Sequence, residues 1–70
     1  MTRKPKTIDE WGAEVSYVRG IDRVMTETGD PGKAFNHDAA CFDRYCRMQA
    51  RFCSEDGYPE LAYLIHSEFV

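Results

Sequence analysis

Histidine and thiol side chains in the middle of the chain are the first residues whose types could do chemistry. His37 and Cys41 are four residues apart, and Cys46 follows five residues later. In a helix, the first two would share one face. Zinc binds such nitrogen and sulfur ligands, and His66 could join them from the end of the chain. Because the spacing matches no structural zinc pattern, we expect packed thiols and no cofactor, with a metal-stabilised helical module as an alternative.

The same residues give a weak case for nucleophilic catalysis. A catalytic thiol needs a histidine within hydrogen-bond reach, a group that orients the histidine, and donors for an oxyanion. His37 is placed to meet Cys41, but the sequence shows no orienting group and no oxyanion site. A thiol on the apolar side of a helix has a raised pKa and is unreactive. We therefore predict no catalytic residues and no enzymatic activity.

Three arginines, Arg44, Arg47 and Arg51, are spaced three and four residues apart, which places them on one face of a helix. Such a stripe can bind phosphates or an acidic partner, or it can be a solvated face. Asp43 precedes Arg47 by four residues and is positioned for a local ion pair. No aromatic residue interleaves with the stripe, so a base-stacking platform is not indicated. A small nucleic-acid-binding regulator that uses these arginines is an alternative function.

The distribution of charge points instead toward a protein partner. The net charge is −3 and the sequence pI is about 5.2, whereas nucleic-acid-binding domains usually carry a basic excess. The chain after Arg51 contains no lysine or arginine, and we expect its acidic residues to contact a basic protein surface, such as that of a nucleic-acid-binding complex. Tyrosines there would be the anchors. The predicted partner-binding residues are Glu55, Asp56, Tyr58, Glu60 and Tyr63 of this acidic end, together with Arg44, Arg47 and Arg51.

The first element that must position these residues is a helix over about 8–28. Thr7 and Glu10 have the spacing of a capping box, and the carboxylate of Glu10 interacts favourably with the positive end of the helix dipole. Gly29 is predicted to end the helix in a left-handed cap, within a turn that continues through Asp-Pro-Gly. Gly20 would mark a kink or the close approach of another helix. The apolar positions follow helical spacing: Ile8, Trp11, Val15, Val18, Ile21 and Met25.

Two further helices are predicted over about 37–53 and 59–68. Asn36 is the expected N-cap of the central helix, and Pro59 suits the first position of the last one. The last helix is apolar on more than one side, so it is either buried or a homo-oligomer interface. The central helix is strongly amphipathic; we place the middle of its apolar side at Cys41, Tyr45, Met48 and Phe52, and its edge at Phe42, Cys46 and Cys53.

Together these elements predict an all-α protein, a small antiparallel three-helix bundle spanning residues 7–70 after a flexible N-terminal arm at 1–6. No segment has the alternation of a strand. Three cysteines cannot all pair, and their spacing along one helix prevents pairing with each other, so a reduced cytoplasmic protein is expected. No apolar run approaches the roughly 20 residues of a membrane span.

These features predict a small, acidic, non-enzymatic protein that acts by protein–protein contact. In size and charge alone the chain resembles the single-domain inhibitors that phages and mobile elements direct against host defence systems, anti-CRISPR proteins among them. That resemblance implies an inhibitor that binds a host protein complex, and it assigns no residue to a role.

Overall fold

The computed structural model describes residues 3–35 and 39–69, and these residues form four α-helices. Helix α1 spans Ile8–Thr28, α2 spans Pro31–Phe35, α3 spans Ala39–Glu55 and α4 spans Pro59–Phe69. No strand occurs in the described ranges, so the predicted all-α class is confirmed. The number of helices differs from the predicted three because α2 forms where the sequence indicated only a turn.

Helix α1 begins and ends as its cap residues predict. The backbone N–H of Glu10 donates to Thr7 Oγ1 over 3.2 Å, and the N–H of Thr7 donates to Glu10 Oε1 over 3.4 Å. This reciprocal capping box satisfies donors that a helix start otherwise leaves unpaired. At the other end, Gly29 has a φ of 67° and donates its N–H to the Met25 carbonyl over 2.8 Å. A glycine accepts this left-handed conformation without steric cost.

The short helix α2 is explained by Asp30. Its Oδ1 accepts hydrogen bonds from the backbone N–H groups of Gly32, over 2.9 Å, and Lys33, over 3.4 Å. Asp30 therefore caps a helix whose first residue is Pro31, the position where proline is best tolerated. Aspartate, proline and glycine are equally typical of turns, so the local sequence did not distinguish the two outcomes. The predicted N-cap of α3, Asn36, lies outside the described residues.

Helices α1, α3 and α4 each contribute buried side chains to a single core, and α4 packs most extensively against α3. Trp11 is the largest side chain with no exposed surface. Burial of each such apolar side chain contributes roughly 1.5–3 kcal/mol to the hydrophobic stabilisation of the fold. The buried residues are Trp11, Val15, Val18, Ile21, Phe42, Cys46, Ala50, Cys53, Ala62 and Ile65.

The buried side of α3 differs from the predicted one. Its buried positions are the predicted edge residues Phe42, Cys46 and Cys53, together with Ala50, whereas Met48 is 45% exposed. Ala50 of α3 and Ala62 of α4 are small side chains at the contact between the two helices, which allows their backbones to come close. Cys41, Tyr45 and Phe52 are half-buried on the flank of the helix. The predicted centre of the apolar side was wrong, because the fold buries Phe42, Cys46 and Cys53, each of which directly follows a predicted central residue.

A glycine inside α1 and the glycine that caps its end allow a matched test of the helix backbone. A Cβ added at Gly20 meets no atom within 4 Å, so the predicted close approach of another helix is not observed there. We expect Gly20→Ala to raise the free energy of unfolding by about 0.5–1 kcal/mol, because alanine loses less backbone entropy in a helix. Gly29→Ala should lower it by about 1–2 kcal/mol, because alanine is strained at positive φ. Urea denaturation followed by circular dichroism measures both, and stabilisation by Gly29→Ala would contradict the left-handed cap.

Candidate protein interaction surface

Asp56, one of the predicted partner-binding residues, lies inside the fold. Its side chain is only 3% exposed, and its carboxylate accepts hydrogen bonds from three other residues. Arg3 donates from both terminal nitrogens, over 3.0 and 2.8 Å. The backbone N–H of Lys6 donates over 3.1 Å and the indole N–H of Trp11 over 2.6 Å. The accepting capacity of this carboxylate is used within the chain, so it offers no surface to a partner.

These hydrogen bonds also hold the N-terminal arm, which the sequence predicted to be flexible. The Arg3 guanidinium lies over the Phe52 ring, 4.4 Å from its centroid, and Lys6 Nζ lies at the same distance from the Trp11 ring. The hydrogen bonds from Arg3 lower the pKa of the Asp56 carboxyl well below its ordinary value, with smaller contributions from Lys6 and Trp11, whereas burial opposes them. Residues 3–6 are therefore anchored to the C-terminal end of α3 by cation–π and charge-assisted contacts.

The other acidic residues of the predicted partner-binding set do not form one patch. Glu55 is exposed on α3, where it pairs with Arg51 over 3.2 Å and with Arg3 over 3.7 Å. Glu60 and Tyr58 line a shallow depression with Ile8 and Leu61, beside the start of α4. The fold therefore separates the acidic end of the sequence. Asp56 is hydrogen-bonded within the chain, Glu55 is ion-paired on the face of α3, and Glu60 lies at a small apolar depression.

A groove between helices α3 and α4, the α3/α4 groove, brings together arginines of α3 and the predicted anchor Tyr63 of α4. Tyr63 stands at this groove with 75% of its surface exposed, the largest exposed fraction among the large hydrophobic residues described. Ala50 and Ala62 are nearly buried at 6% and 8% and give the groove a floor of small side chains. The residues that line it are Arg47, Ala50, Arg51, Ser54, Pro59, Ala62, Tyr63 and His66.

The formal charges that line the α3/α4 groove are those of Arg47 and Arg51, and no carboxylate is among the described lining residues. Arg47 Nε donates to Asp43 over 3.0 Å, which confirms the predicted ion pair, and Arg51 Nε donates to Glu55 over 3.2 Å. Both arginine side chains remain well exposed, at 60% and 78%. Exposed pairs of this kind hold their charges weakly, so the guanidinium groups stay accessible to another molecule.

Arg44, the third residue of the predicted stripe, lies away from the α3/α4 groove. It shares a neighbouring surface with Met48 and Phe52, which Arg47 and Arg51 also border. Sequence reasoning linked the three arginines through helical spacing, but it could not place Tyr63 or His66 beside two of them. Those side chains come from α4, and only the packing of α4 against α3 puts them there. The available signal for this site in the sequence was that the last helix is apolar on more than one side, so that some of its large side chains had to remain outside the core.

Glu14 in α1 is explained by contacts with other segments. It accepts a hydrogen bond from the Tyr45 hydroxyl and pairs with Lys6 Nζ over 3.5 Å. Burial and the hydrogen bond to Glu14 raise the pKa of Tyr45 well above its ordinary value. The Tyr45 ring also contacts Phe35 and Tyr17, with centroids 5.0 and 6.5 Å away. This carboxylate therefore connects α1, α3 and the N-terminal arm.

The three cysteine side chains lie in the core or beside it, as expected for packed thiols. Cys46 and Cys53 have no exposed surface, Cys41 is half-buried, and none of them forms a disulfide. Burial raises the pKa of Cys46 to about 11 and also raises that of Cys53, whose Sγ donates to the Tyr58 carbonyl over 3.4 Å. His37 lies outside the described residues, and no group of three metal-ligating side chains occurs among those described. Neither buried thiol has the properties of a nucleophile.

In comparisons with known proteins, no protein-family model, no curated protein and no solved structure matches this chain. None of the helices in the described ranges has the length and apolar character that crossing a bilayer requires. The functional interpretation consequently depends on the chemistry of the exposed surfaces, and the α3/α4 groove places the most exposed large hydrophobic side chain described, Tyr63, beside two exposed arginines.

The role of Asp56 can be tested by its pH dependence. The folded carboxyl has a lower pKa than the unfolded one, so the unfolded chain takes up the proton first as the pH falls. The stabilisation is therefore complete at neutral pH and decreases below about pH 4, the ordinary pKa of an aspartate. We expect Asp56→Asn to unfold at lower urea concentration than wild type at pH 7, with a smaller difference at pH 3. Glu55→Gln is the matched control, and an equal effect at both pH values would contradict the assignment.

The thiols provide a second test of the same structure. Maleimide labelling of the folded protein at pH 8 should leave Cys46 and Cys53 unmodified, because burial both excludes the reagent and disfavours the thiolate. Labelling in urea should then modify them at the rate of a free cysteine. Mass spectrometry of labelled peptides distinguishes the sites. Modification of Cys46 in the folded state, at the rate seen in urea, would contradict its burial.

Proposed function

We propose that this chain is a non-enzymatic protein that acts by protein–protein contact through the α3/α4 groove. The observation that carries the proposal is Tyr63, a large aromatic side chain left 75% exposed beside Arg47 and Arg51. Tyrosine and arginine are the residue types that most often dominate the energy of protein interfaces. An exposed tyrosine next to two accessible arginines therefore supports an anchor for a partner.

The shape of the groove supports the same proposal. The side chains at its floor, Ala50 and Ala62, are small, so a partner side chain or helix can approach the backbones of α3 and α4. The aliphatic stems of Arg47 and Arg51 add apolar surface along one wall, as long charged side chains do at interfaces. Contact with a partner would bury the Tyr63 ring and exclude water from the arginine pairs, which strengthens their electrostatic interactions.

The charge pattern favours a protein over a nucleic acid as the partner. Asp43 and Glu55 lie on the same helix as the arginines and pair with two of them. A phosphate backbone carries a negative charge at every nucleotide, so a row of phosphates along this face would meet Asp43 and Glu55 as well as the two arginines. A protein partner can arrange its own charges to match an alternating pattern, whereas a uniform row of phosphates cannot.

The inhibitor hypothesis is a narrower form of this proposal. The small size and acidic charge of the chain support it, and a compact helical domain with one aromatic anchor is sufficient to block a surface on a larger complex. The core position of Cys46 and Cys53 is consistent with a protein that acts by binding. A binder of this kind needs only a stable surface, and a domain this small has little interior to spare for a substrate cavity.

The proposal is tested by affinity capture with tagged protein from cells in which the chain is expressed. We expect wild type to retain a specific partner and Tyr63→Ala to reduce its recovery about tenfold or more, as loss of an interface hot spot does. Tyr17→Ala is the matched control, since Tyr17 is 57% exposed but lies on α1. Quantitative mass spectrometry of the captured proteins gives the ratio.

Circular dichroism of both variants is needed to show that they remain folded. A partner captured equally by wild type, Tyr63→Ala and Tyr17→Ala would show that contact occurs elsewhere on the molecule. Loss of the partner with Tyr17→Ala alone would move the interaction surface to α1.

A further inference from the structure

We propose that the α3/α4 groove binds an acidic helical segment of a partner protein, with two carboxylates one helical turn apart. This inference rests on the proposed function and adds the chemistry of the occupant. It starts from charge complementarity, because Arg47 and Arg51 line the groove with exposed guanidinium groups and no carboxylate is among its described lining residues. An occupant with negative side chains would pair with these two guanidinium groups.

The hydrogen bonds of the two arginines leave donors for that occupant. Arg47 and Arg51 each donate to the carboxylate on their own helix through Nε. A guanidinium group carries further N–H donors on its two terminal nitrogens, in a planar arrangement that matches a carboxylate. A second carboxylate can therefore bind each arginine without displacing Asp43 or Glu55. The arginines are held in place by their own helix while their terminal nitrogens recognise the partner.

The spacing of the arginines fixes the spacing of the partner's carboxylates. Arg47 and Arg51 are four residues apart on α3, about 6 Å along the helix axis. Glutamates or aspartates four residues apart on a second helix have the same separation. A helix that runs along the groove can then present both carboxylates to both arginines. An extended segment has a rise of about 3.3 Å per residue and presents side chains on one side at every second residue. Its carboxylates could therefore have a similar separation, but it lacks the apolar face that a helix would pack into the groove.

The floor and the opposite wall of the groove favour the helix. Ala50 and Ala62 are small, and helix axes approach to about 8–10 Å where the contacting side chains allow it. Tyr63 and His66 form the α4 wall, so an apolar residue of the occupant next to its carboxylates would contact the Tyr63 ring. The predicted occupant is an amphipathic helix in which the acidic pair flanks small or aliphatic residues.

The experiment uses a designed, fluorescein-labelled helical peptide of about 20 residues, long enough to be helical in isolation, with glutamate pairs four residues apart among alanine and leucine. A second peptide replaces each glutamate with lysine. Fluorescence anisotropy with the full chain should show binding at least about tenfold tighter for the glutamate peptide. The double variant Arg47→Gln, Arg51→Gln should lose about tenfold or more of that affinity.

A matched control removes the same intrahelical ion pairs but keeps the arginines. The double variant Asp43→Asn, Glu55→Gln should bind the glutamate peptide as tightly as wild type or more tightly, because the arginines keep their terminal donors and two neighbouring negative charges are removed. Equal affinity for the two peptides would overturn the inference. So would glutamate-peptide binding that is unchanged by loss of both arginines.

The outcome is separable from that of the affinity capture. A Tyr63-dependent partner together with no preference for the glutamate peptide would leave the protein contact in place and overturn the acidic helix. Sedimentation equilibrium tests whether a second copy of this chain occupies the groove. A dimer that depends on Arg47 and Arg51 would overturn the inference in favour of a second copy of this chain as the occupant.

Discussion

The carboxylate of Asp56 joins three parts of the chain that share no helix. It accepts hydrogen bonds from Arg3 and Lys6 in the N-terminal arm and from Trp11 in α1, while itself following the end of α3. A nearly buried charge is stable only when it is fully paired. The orientation of the Trp11 indole, which fills the core, is thereby linked to the position of the arm. The other contacts of the arm, to Phe52 and Glu14, depend on the same arrangement.

This internal use of charge decides which side chains remain for interaction. Asp56 is withdrawn from the surface, and Glu55 and Asp43 are engaged by arginines on their own helix. The outer parts of Arg47 and Arg51 remain accessible beside Tyr63. In a domain of 70 residues the surface is large relative to the core. The proposed binding chemistry therefore uses a small groove between two helices and an exposed aromatic ring, and it needs no internal cavity.

Local signals in the sequence were sufficient for most of the fold. Thr7 with Glu10, Gly29, and Pro59 each act through contacts within a few residues, so their effect on helix bounds could be predicted. Asp30 shows the limit of this approach, because the same residue type starts a turn or caps a helix and the neighbours decide. The buried face of α3 shows another limit, since periodicity alone did not distinguish the buried Cys46 and Ala50 from the neighbouring Tyr45 and Met48.

The sequence by itself determined the helical class, the ends of α1, the start of α4 and the local ion pair between Asp43 and Arg47, because these depend on periodicity and on neighbours within one turn. Only the tertiary structure decided that Asp56 points inward and that Tyr63 meets Arg47 and Arg51. These arrangements join residues from different segments, and a linear charge pattern contains no information about which segments meet. The physical reason is that burial of Trp11 and close contact between α3 and α4 fix the relative positions of the segments, and the charges follow those positions.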